Sequence, residues 1–290
     1  MRSESLNSNS EASFSIRVMT IIFLIFLLCV MPLQVHANEK DFSTVCSLFP
    51  VYDFTREVAG DSASVHLLLR PGAEPHDFEP SPLDMKTLND SDAFIFTGEH
   101  MEPWAKRVAR SLSDTAIIDA SANIETRGSD PHVWLDLSKA RDMVMNIAAG
   151  LAKAKPEHAE EFLRNAEAYC RKLAELDEKF MALDKKILVF AGEFAFSYFI
   201  ERYGFEYVSA YDGENEPSIR RMAEVLKFIR DNRVKYIFTD SGGASDITRS
   251  IAEQTGAEVL IFYSGERDSG LSFIELMSAN YEALRKFIYE

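Results

Sequence analysis

One histidine, His76, lies in the middle of a proline- and glycine-rich stretch where its side chain could bind a metal ion or transfer a proton. The stretch runs from Arg70 to Pro80 and contains several turn-forming residues, so it predicts a loop. An imidazole held in such a loop, with acidic groups nearby, can serve as a metal ligand or as a general base. A metal site would need about three further ligands from elsewhere in the chain.

Three other side chains occupy comparable positions, after or near strand-like runs: His132, Glu193 and Glu266. In α/β proteins, ligand-binding groups gather on loops beyond the C-terminal ends of the strands. The sequence therefore predicts a single metal site with two ligands from each half of the chain, His76 and His132 from the first half and the two glutamates from the second.

Each candidate also has an ordinary structural explanation. The two histidines could be loop or packing residues, and Glu193 could be a carboxylate that favours a helix N-terminus. The fourth position has two rivals, because Asp268 lies just beyond Glu266 and Asp240 follows another strand-like run. The metal-site hypothesis depends on the coincidence of all four positions.

The elements that must position these residues alternate between strand and helix. The strand-like runs are Phe42–Phe49, Ala63–Leu69, Asp92–Thr97, Thr115–Asp119, Ile187–Ala191, Phe205–Ala210, Tyr236–Thr239 and Glu258–Phe262. The helix-like runs are Val51–Val58, a run from Ser81, Met101–Leu112, Ser138–Lys153, Glu157–Lys185, Ala195–Tyr203, Ser218–Asn232, Ala244–Thr255 and Leu271–Ile288. This alternation is typical of βαβ units around parallel sheets.

The alternation is interrupted between residues 138 and 184, where no strand-like run occurs. Pro156 ends one helix there, and the next would be on the order of 40 Å long. A helix of that length is a strut rather than a flexible linker. We therefore predict an α/β protein with two βα lobes, parallel sheets and one long rigid connecting helix, with the metal site in the cleft between the lobes. The predicted segments are a signal peptide (1–37), an N-terminal lobe (38–155), the connecting helix (156–185) and a C-terminal lobe (186–290).

Residues 1–37 have the features of a secretory leader. Arg17 precedes the apolar run Val18–Met31, and a small-x-small cleavage pattern ends at Ala37. The apolar run is short for a membrane span, so we expect a cleaved leader, with an uncleaved anchor as the alternative. A lipid anchor on Cys29 is less expected, because Leu28 before it is large.

Composition narrows the range of partners. The formal net charge of −15 argues against a nucleic-acid partner, which requires a basic face, and suits a receptor for small cations. The roughly 250 residues after the leader can form one large or two medium domains. They contain two cysteines, Cys46 and Cys170, which we expect to be buried and unpaired.

The chain resembles the periplasmic metal-binding receptors of manganese, iron and zinc ABC transporters, whose lobes are joined by one long backbone helix. The motifs that carry the resemblance are Pro75–Pro82, Asp130–Asp136, and Gly192–Phe199 followed by Arg202–Gly204. It extends from about Val45 to Asn280. The resemblance implies metal ligands at His76, His132 and Glu193, and a fourth after the last strand, which we align with Glu266.

The predicted ligands bear on which metal is bound. Two imidazoles and two carboxylates give a neutral site for a divalent ion, and the carboxylates favour manganese or iron(II). Zinc importers of the resembled family usually have a histidine where this chain has Glu193. Zinc stays possible as the next choice, because nitrogen and oxygen ligands bind zinc more tightly than manganese.

The sequence thus predicts an extracytoplasmic solute-binding protein, in the periplasm, that captures one divalent metal ion and delivers it to an ABC permease. We expect a monomer that is not an enzyme and in which the lobes move little, because the helix is stiff. A secreted metallohydrolase is one alternative. It needs an open coordination position and a base, and the chain has no hydrolase motif. A metal-binding surface adhesin is the other alternative.

Overall fold

The computed structural model describes residues 42–69, 78–192, 194–211, 217–241 and 243–290. The predicted leader, with Cys29, and two candidate ligands, His76 and Glu193, lie outside the described residues. Among the residues that are described, none of the helices combines the length and apolar character needed to cross a membrane.

The described residues form eight strands and nine α-helices in the predicted alternating order. The strands are β1 (Ser43–Cys46), β2 (Ser64–Leu67), β3 (Ala93–Phe96), β4 (Ala116–Asp119), β5 (Ile187–Phe190), β6 (Glu206–Ser209), β7 (Tyr236–Thr239) and β8 (Glu258–Ile261). The helices are α1 (Phe49–Ala59), α2 (Pro82–Asp90), α3 (Ala105–Ala109), α4 (Leu137–Ala154), α5 (Ala159–Met181), α6 (Ser197–Tyr203), α7 (Ile219–Asp231), α8 (Asp246–Thr255) and α9 (Phe273–Tyr289).

Local sequence explains where several helices begin. The predicted start at Ser81 is confirmed: Ser81 Oγ accepts from the Asp84 amide at 3.3 Å, and Asp84 Oδ2 accepts from the Ser81 amide at 2.8 Å. The predicted helix Met101–Leu112 was too long, since only Ala105–Ala109 is helical. Pro103 disfavours the helical conformation of the residue before it, Glu102, so the helix begins after this position.

The strands form two four-stranded parallel sheets of the same topology. Their orders are β2-β1-β3-β4 and β6-β5-β7-β8. We call the first sheet with its helices the first lobe and the second sheet with its helices the second lobe. In each sheet the chain reverses direction of winding between two adjacent strands, β1 and β3 in one and β5 and β7 in the other. Such a switch point opens a crevice at the C-terminal ends of the strands, where α/β proteins bind ligands.

The apolar core is continuous between the lobes. A central cluster of buried side chains draws on both sheets and includes Phe54, Phe180 and Phe262, all of them inaccessible to solvent. Two smaller clusters cover the outer faces of the sheets, around Phe94 and around Ile237. Both faces of each sheet are therefore packed, as parallel sheets require.

The long helix α5 joins the lobes, as predicted. A 3₁₀ turn, Pro156–His158, precedes its 23 residues, so it spans about 35 Å and is shorter at both ends than predicted. Its buried residues recur at helical spacing, among them Phe162, Leu173 and Phe180. This stripe packs against α4 and α1 of the first lobe and against α9 of the second. The exact domain boundaries stay a prediction.

A buried carboxylate also ties the lobes together. Asp53 of α1 accepts hydrogen bonds from the Phe273 amide at 2.9 Å and from the Tyr169 hydroxyl at 3.2 Å. Phe273 begins α9, so the carboxylate lies at a helix N-terminus, where negative charge is favoured. The rings of Phe54 and Phe273 meet edge to face beside it, 4.8 Å apart. First lobe, connecting helix and second lobe thus share one buried contact.

The two cysteines are both free, as expected. Cys46 is fully buried, and burial raises the pKa of its thiol to about 12. Cys170 is only half-buried, which corrects the expectation that both thiols are buried.

The variant Asp53→Asn tests the charge state of the tie between the lobes. Burial raises the pKa of Asp53, so the folded protein keeps this proton to a higher pH than the unfolded chain does. The stability that Asp53 contributes should therefore fall as the pH rises from about 4 through the raised pKa. Asparagine cannot ionise, so the stability of the wild type relative to the variant should decline over that range. Urea denaturation at several pH values measures this difference. The exposed Asp61→Asn is the control, and a difference independent of pH would contradict the expectation.

Candidate metal centre

The candidate centre in the described residues is built around His132, on the loop between β4 and α4. Asp130 Oδ1 accepts from the His132 amide at 3.0 Å and lies 2.8 Å from His132 Nδ1. A carboxylate only accepts hydrogen bonds, so the ring proton is on Nδ1. Nε2 then faces the other way, as in metal-binding histidines whose second nitrogen is held by a carboxylate.

The partner of Nε2 is Glu266, from the loop after β8. Glu266 Oε1 lies 2.9 Å from His132 Nε2, and each residue is 9% exposed. Two of the four predicted ligands, one from each lobe, are therefore in contact. Within the described ranges, no group of three or more histidine, cysteine, aspartate or glutamate residues could hold a metal. The complete ligand set stays a prediction, since His76 and Glu193 lie outside those ranges.

The two carboxylates make this imidazole a strong base. Burial disfavours the charged ring, yet the contacts with Asp130 and Glu266 raise the pKa of His132 to about 9. Burial likewise opposes ionisation of Asp130, but its hydrogen bonds with His132 hold the pKa of that carboxyl below its ordinary value. The surroundings of Nε2 thus favour positive charge, whether a proton or a metal cation supplies it.

The loop that carries Glu266 is held by buried hydrogen bonds. Trp134 Nε1 donates to the Ser264 carbonyl at 2.7 Å across the lobes. The Ser264 amide and hydroxyl donate to the two oxygens of Asp240 at 2.8 and 2.7 Å. Asn280 of α9 pairs with the main chain of Tyr263 at 2.7 and 2.8 Å. The carboxylate therefore extends from a fixed backbone.

The same contacts distinguish Glu266 from its two rivals. Both carboxylate oxygens of Asp240 are engaged by Ser264, so Asp240 supports the loop. Asp268 is exposed, and its Oδ1 accepts from the Gly270 amide at 2.8 Å. The geometry favours Glu266 as the candidate ligand of this loop.

The described neighbours of Glu193 are closely packed. A Cβ on Gly192 would lie 2.5 Å from Thr239 Oγ1, so glycine allows the end of β5 to approach the end of β7. Phe194, on the other side, stacks on Tyr207 with ring centres 4.2 Å apart. The residues on either side of Glu193 are therefore packed against the second lobe.

Helix α6, which follows, holds the His132 loop against the second lobe. The Tyr198 hydroxyl accepts from the Arg127 amide at 2.7 Å and donates to the Asp130 carbonyl at 3.3 Å. Arg202 Nε lies 3.1 Å from Asp136 Oδ1, the carboxylate that caps α4, and its guanidinium also binds Asp177 of α5. The loop is therefore fixed from two sides.

The sequence identified the candidate ligands in this region but not the residues that hold them. Asp130 stands two residues before His132, a spacing that could have been recognised as a carboxylate held against the ring. Trp134 is fully buried, and its Nε1 also donates a hydrogen bond across the lobes. The contacts of Asp240 and Tyr198 join positions far apart in the sequence and leave no local signal.

Comparison with known sequences gives consistent matches. A family model described as the periplasmic zinc-uptake complex component A, ZnuA, matches residues 44–287. The zinc-binding protein AdcA of Streptococcus pyogenes is 32% identical over 293 residues, which cover 87% of this chain and 57% of AdcA. The high-affinity zinc uptake protein ZnuA of Bacillus subtilis is 29% identical and is matched over 86% of its length. The chain thus spans little more than half of AdcA.

Solved structures agree with these matches. The metal-dependent lipoprotein YcdH of Bacillus subtilis superposes with a TM-score of 0.77 at 29% identity, over 86% of this chain and 100% of that chain. The Zn(II)-bound ZnuA-like domain of Streptococcus pneumoniae AdcA gives 0.74 at 30% identity, with the same coverage. The laminin-binding protein Lmb of Streptococcus agalactiae gives 0.77 at 31% identity, over 85% of this chain and 99% of that chain.

The variant Arg202→Met should destabilise the fold. The side chains of Arg202 and Asp177 are 18% and 9% exposed, so removing the guanidinium leaves a buried carboxylate whose remaining cation, Arg141, lies 3.9 Å away. Breaking one side of a buried ion pair costs about 3–5 kcal/mol. Chemical denaturation measures the loss, and the double variant Arg202→Met/Asp177→Leu should recover part of it. Equal stability of the wild type and Arg202→Met would contradict the role given to this pair.

Proposed function

We propose that this chain, which belongs to the family of periplasmic zinc-uptake components matched by residues 44–287, captures zinc outside the cytoplasm and delivers it to an ABC permease. The observation that carries the proposal is the contact of His132 Nε2 with Glu266 at 2.9 Å, with Nδ1 held by Asp130. The family is one of uptake receptors rather than enzymes, in agreement with the sequence prediction. AdcA is longer than this chain, so its whole activity is not transferred.

The proposed cargo is zinc rather than the manganese or iron(II) that the ligand types favoured. The family model and the relatives AdcA and ZnuA are named for zinc, and a similar domain has been solved with Zn(II) bound. Imidazole suits zinc, and carboxylate oxygen is an established zinc ligand. Two carboxylate ligands are therefore compatible with zinc, although they led the sequence analysis to favour manganese or iron(II).

The proposed ligands are His76 and His132 from the first lobe, and Glu193 and Glu266 from the second. His132 would bind through Nε2, because Asp130 occupies the other ring nitrogen. Glu266 would turn from the imidazole to the ion. A cation placed between these side chains would join the histidines of the first lobe to the carboxylates of the second and would neutralise both carboxylates.

We propose that capture involves local loop rearrangement with little hinge motion. The Trp134–Ser264 and Asp53–Phe273 hydrogen bonds cross between the lobes, and α5 packs on both. A wide hinge opening would break these buried contacts, whereas side chains and loops at the rim can move without doing so.

The remaining proposals concern organisation and place. The lobes would comprise residues 38–155 and 186–290, joined by residues 156–185, in a monomer. The mature chain would be periplasmic after removal of residues 1–37. A tethered form is the alternative, since a similar protein from Streptococcus pneumoniae is named a zinc-binding lipoprotein.

One observation favours a second role in adhesion. The similar Lmb of Streptococcus agalactiae is described as a bifunctional protein with adhesin and metal-transporting activity. Adhesion is therefore the second candidate function, and the metallohydrolase alternative has no such support.

The variant His132→Ala tests the proposed site. It removes the ligand atom, so zinc affinity should fall by more than the roughly 10–100-fold that loss of an outer-shell partner costs. The variant Asp130→Asn keeps the imidazole but no longer fixes its orientation. Its loss of zinc affinity should therefore be about 10–100-fold. Competition titration with a chromogenic chelator measures both. His158→Ala, at a half-exposed histidine on the 3₁₀ turn before α5, is the control. Wild-type affinity in His132→Ala would refute the assignment.

Metal content decides between zinc and the metals first favoured. Protein purified from its native compartment should contain zinc, as measured by elemental analysis. Zinc should also raise the melting temperature more than manganese or iron(II) at equal concentration, because the tighter ligand stabilises the folded state more. Manganese or iron in the native protein would instead support the preference derived from ligand type.

A further inference from the structure

A concave site lies at the end of the second lobe that is remote from the metal centre. The cavity has a volume of about 410 Å³ and is found where β5 and β7 begin, at Ile187 and Tyr236. Glu266, by contrast, follows the carboxyl-terminal end of β8, which runs parallel to β7. The cavity is therefore separate from the proposed zinc site, and its volume is within the range of pockets that hold small molecules.

Much of the cavity wall is apolar and aromatic. It is lined by Phe228 of α7 and Phe287 of α9, together with Ile187, Val234 and Tyr236. All five side chains keep some access to water, and Ile187 is 39% exposed. Accessible apolar surface in a concave place is suited to the apolar part of a ligand.

The cavity also carries an excess of positive charge, although the whole chain has a formal net charge of −15. Lys186, Arg233 and Lys235 line it, against one acidic side chain, Glu290. The ammonium groups of Lys186 and Lys235 each donate to a main-chain carbonyl at the end of α9 or just after it. An ammonium has three donor hydrogens, so these contacts leave others for a ligand. The charge of the cavity therefore favours an anion.

Arg233 has a backbone conformation that is unusual for an arginine. It follows the last turn of α7 with a φ of 51°, in the left-handed region. The Val234 amide donates to the Ile229 carbonyl at 3.0 Å, and the Arg233 amide donates to the Arg230 carbonyl at 3.3 Å. This pattern is a Schellman motif, in which the left-handed residue is usually glycine. After α8 that conformation is indeed taken by a glycine, Gly256.

The fold gives no return for this strained arginine. The Arg233 side chain is exposed and makes neither a hydrogen bond nor an ion pair with any residue that the structure describes. Strained backbone of this kind is concentrated at functional sites such as ligand clamps. An arginine guanidinium can bind a carboxylate through two parallel hydrogen bonds. Its position at an apolar cavity therefore suits a ligand that is both anionic and apolar.

We propose that this cavity binds a small organic anion, namely a carboxylate that carries an aromatic group. The carboxylate would lie against Arg233, with Lys186 and Lys235 beside it. The aromatic group would pack between Phe228 and Phe287. The concave shape favours a small molecule over a membrane surface, which would meet the same charges on a flat face. Binding would be independent of zinc, because the metal centre is at the other end of the lobe.

Calorimetric titration of the whole protein with naphthylacetate tests the proposal. Naphthylacetamide has the same shape without the charge, so it should bind about fivefold more weakly, the upper range for one exposed ion pair. Acetate keeps the charge but lacks the ring, so its binding should be weaker still. The affinity for naphthylacetate should also fall as the salt concentration rises, because salt screens exposed charges.

Three variants locate the binding. Arg233→Asn removes the charge, and asparagine tolerates a positive φ, so naphthylacetate affinity should fall about fivefold while the melting temperature stays near that of the wild type. Arg233→Lys keeps the charge and should keep most of the affinity. Arg220→Gln is the matched control, because it removes the same charge from an α7 arginine that is 90% exposed and lies outside the cavity. It should bind as the wild type does.

Several outcomes would overturn the proposal. These are no binding of naphthylacetate, equal affinity for the acid and its amide, and wild-type affinity in Arg233→Asn. Binding that saturating zinc abolishes would place the anion at the metal centre instead. A protein that binds phosphatidylglycerol vesicles but not the soluble acid would use this face as a membrane contact. The zinc measurements are separate, so failure of either proposal leaves the other standing.

Discussion

The structure depends on the line of three side chains formed by Asp130, His132 and Glu266. Asp130 fixes the imidazole proton on Nδ1, and Glu266 meets Nε2 from the other lobe. The arrangement concentrates negative charge around one buried ring, which is unfavourable unless a cation or a proton is present. The lobes and their connecting helix supply the rigid frame that keeps these groups together.

The frame consists of two sheets with the same winding and a shared core. Each switch point carries polar groups of its own, Thr97 with Glu102 in the first lobe and Thr239 beside Gly192 in the second. Hydrogen bonds between the lobes and the packing of α5 restrain the two halves. Because the two halves are restrained, metal binding would require a few loops to rearrange rather than the whole molecule.

Sequence reasoning succeeded where the signal is local. Alternating apolar runs predicted eight strands, Pro156 marked the break before the long helix, and Ser81 marked a helix start. Positions after strands led to His132 and Glu266, which are in contact. It failed where the information is spread over distant residues. The role of Asp240 depends on contacts between loops. The helix predicted over Met101–Leu112 was too long for another reason, because the local signal of Pro103 was not used. The ligand types alone also predicted manganese or iron(II), whereas the family model and the similar protein AdcA are named for zinc.

The bond between Asp53 and the Phe273 amide joins residues 220 positions apart. A ribosome must therefore complete nearly the whole chain before the first lobe can bury this carboxylate. Contacts of such high sequence separation form slowly, because a large loop must close before they are made. The tie between α1 and α9 can therefore form only after nearly the whole chain has been synthesised.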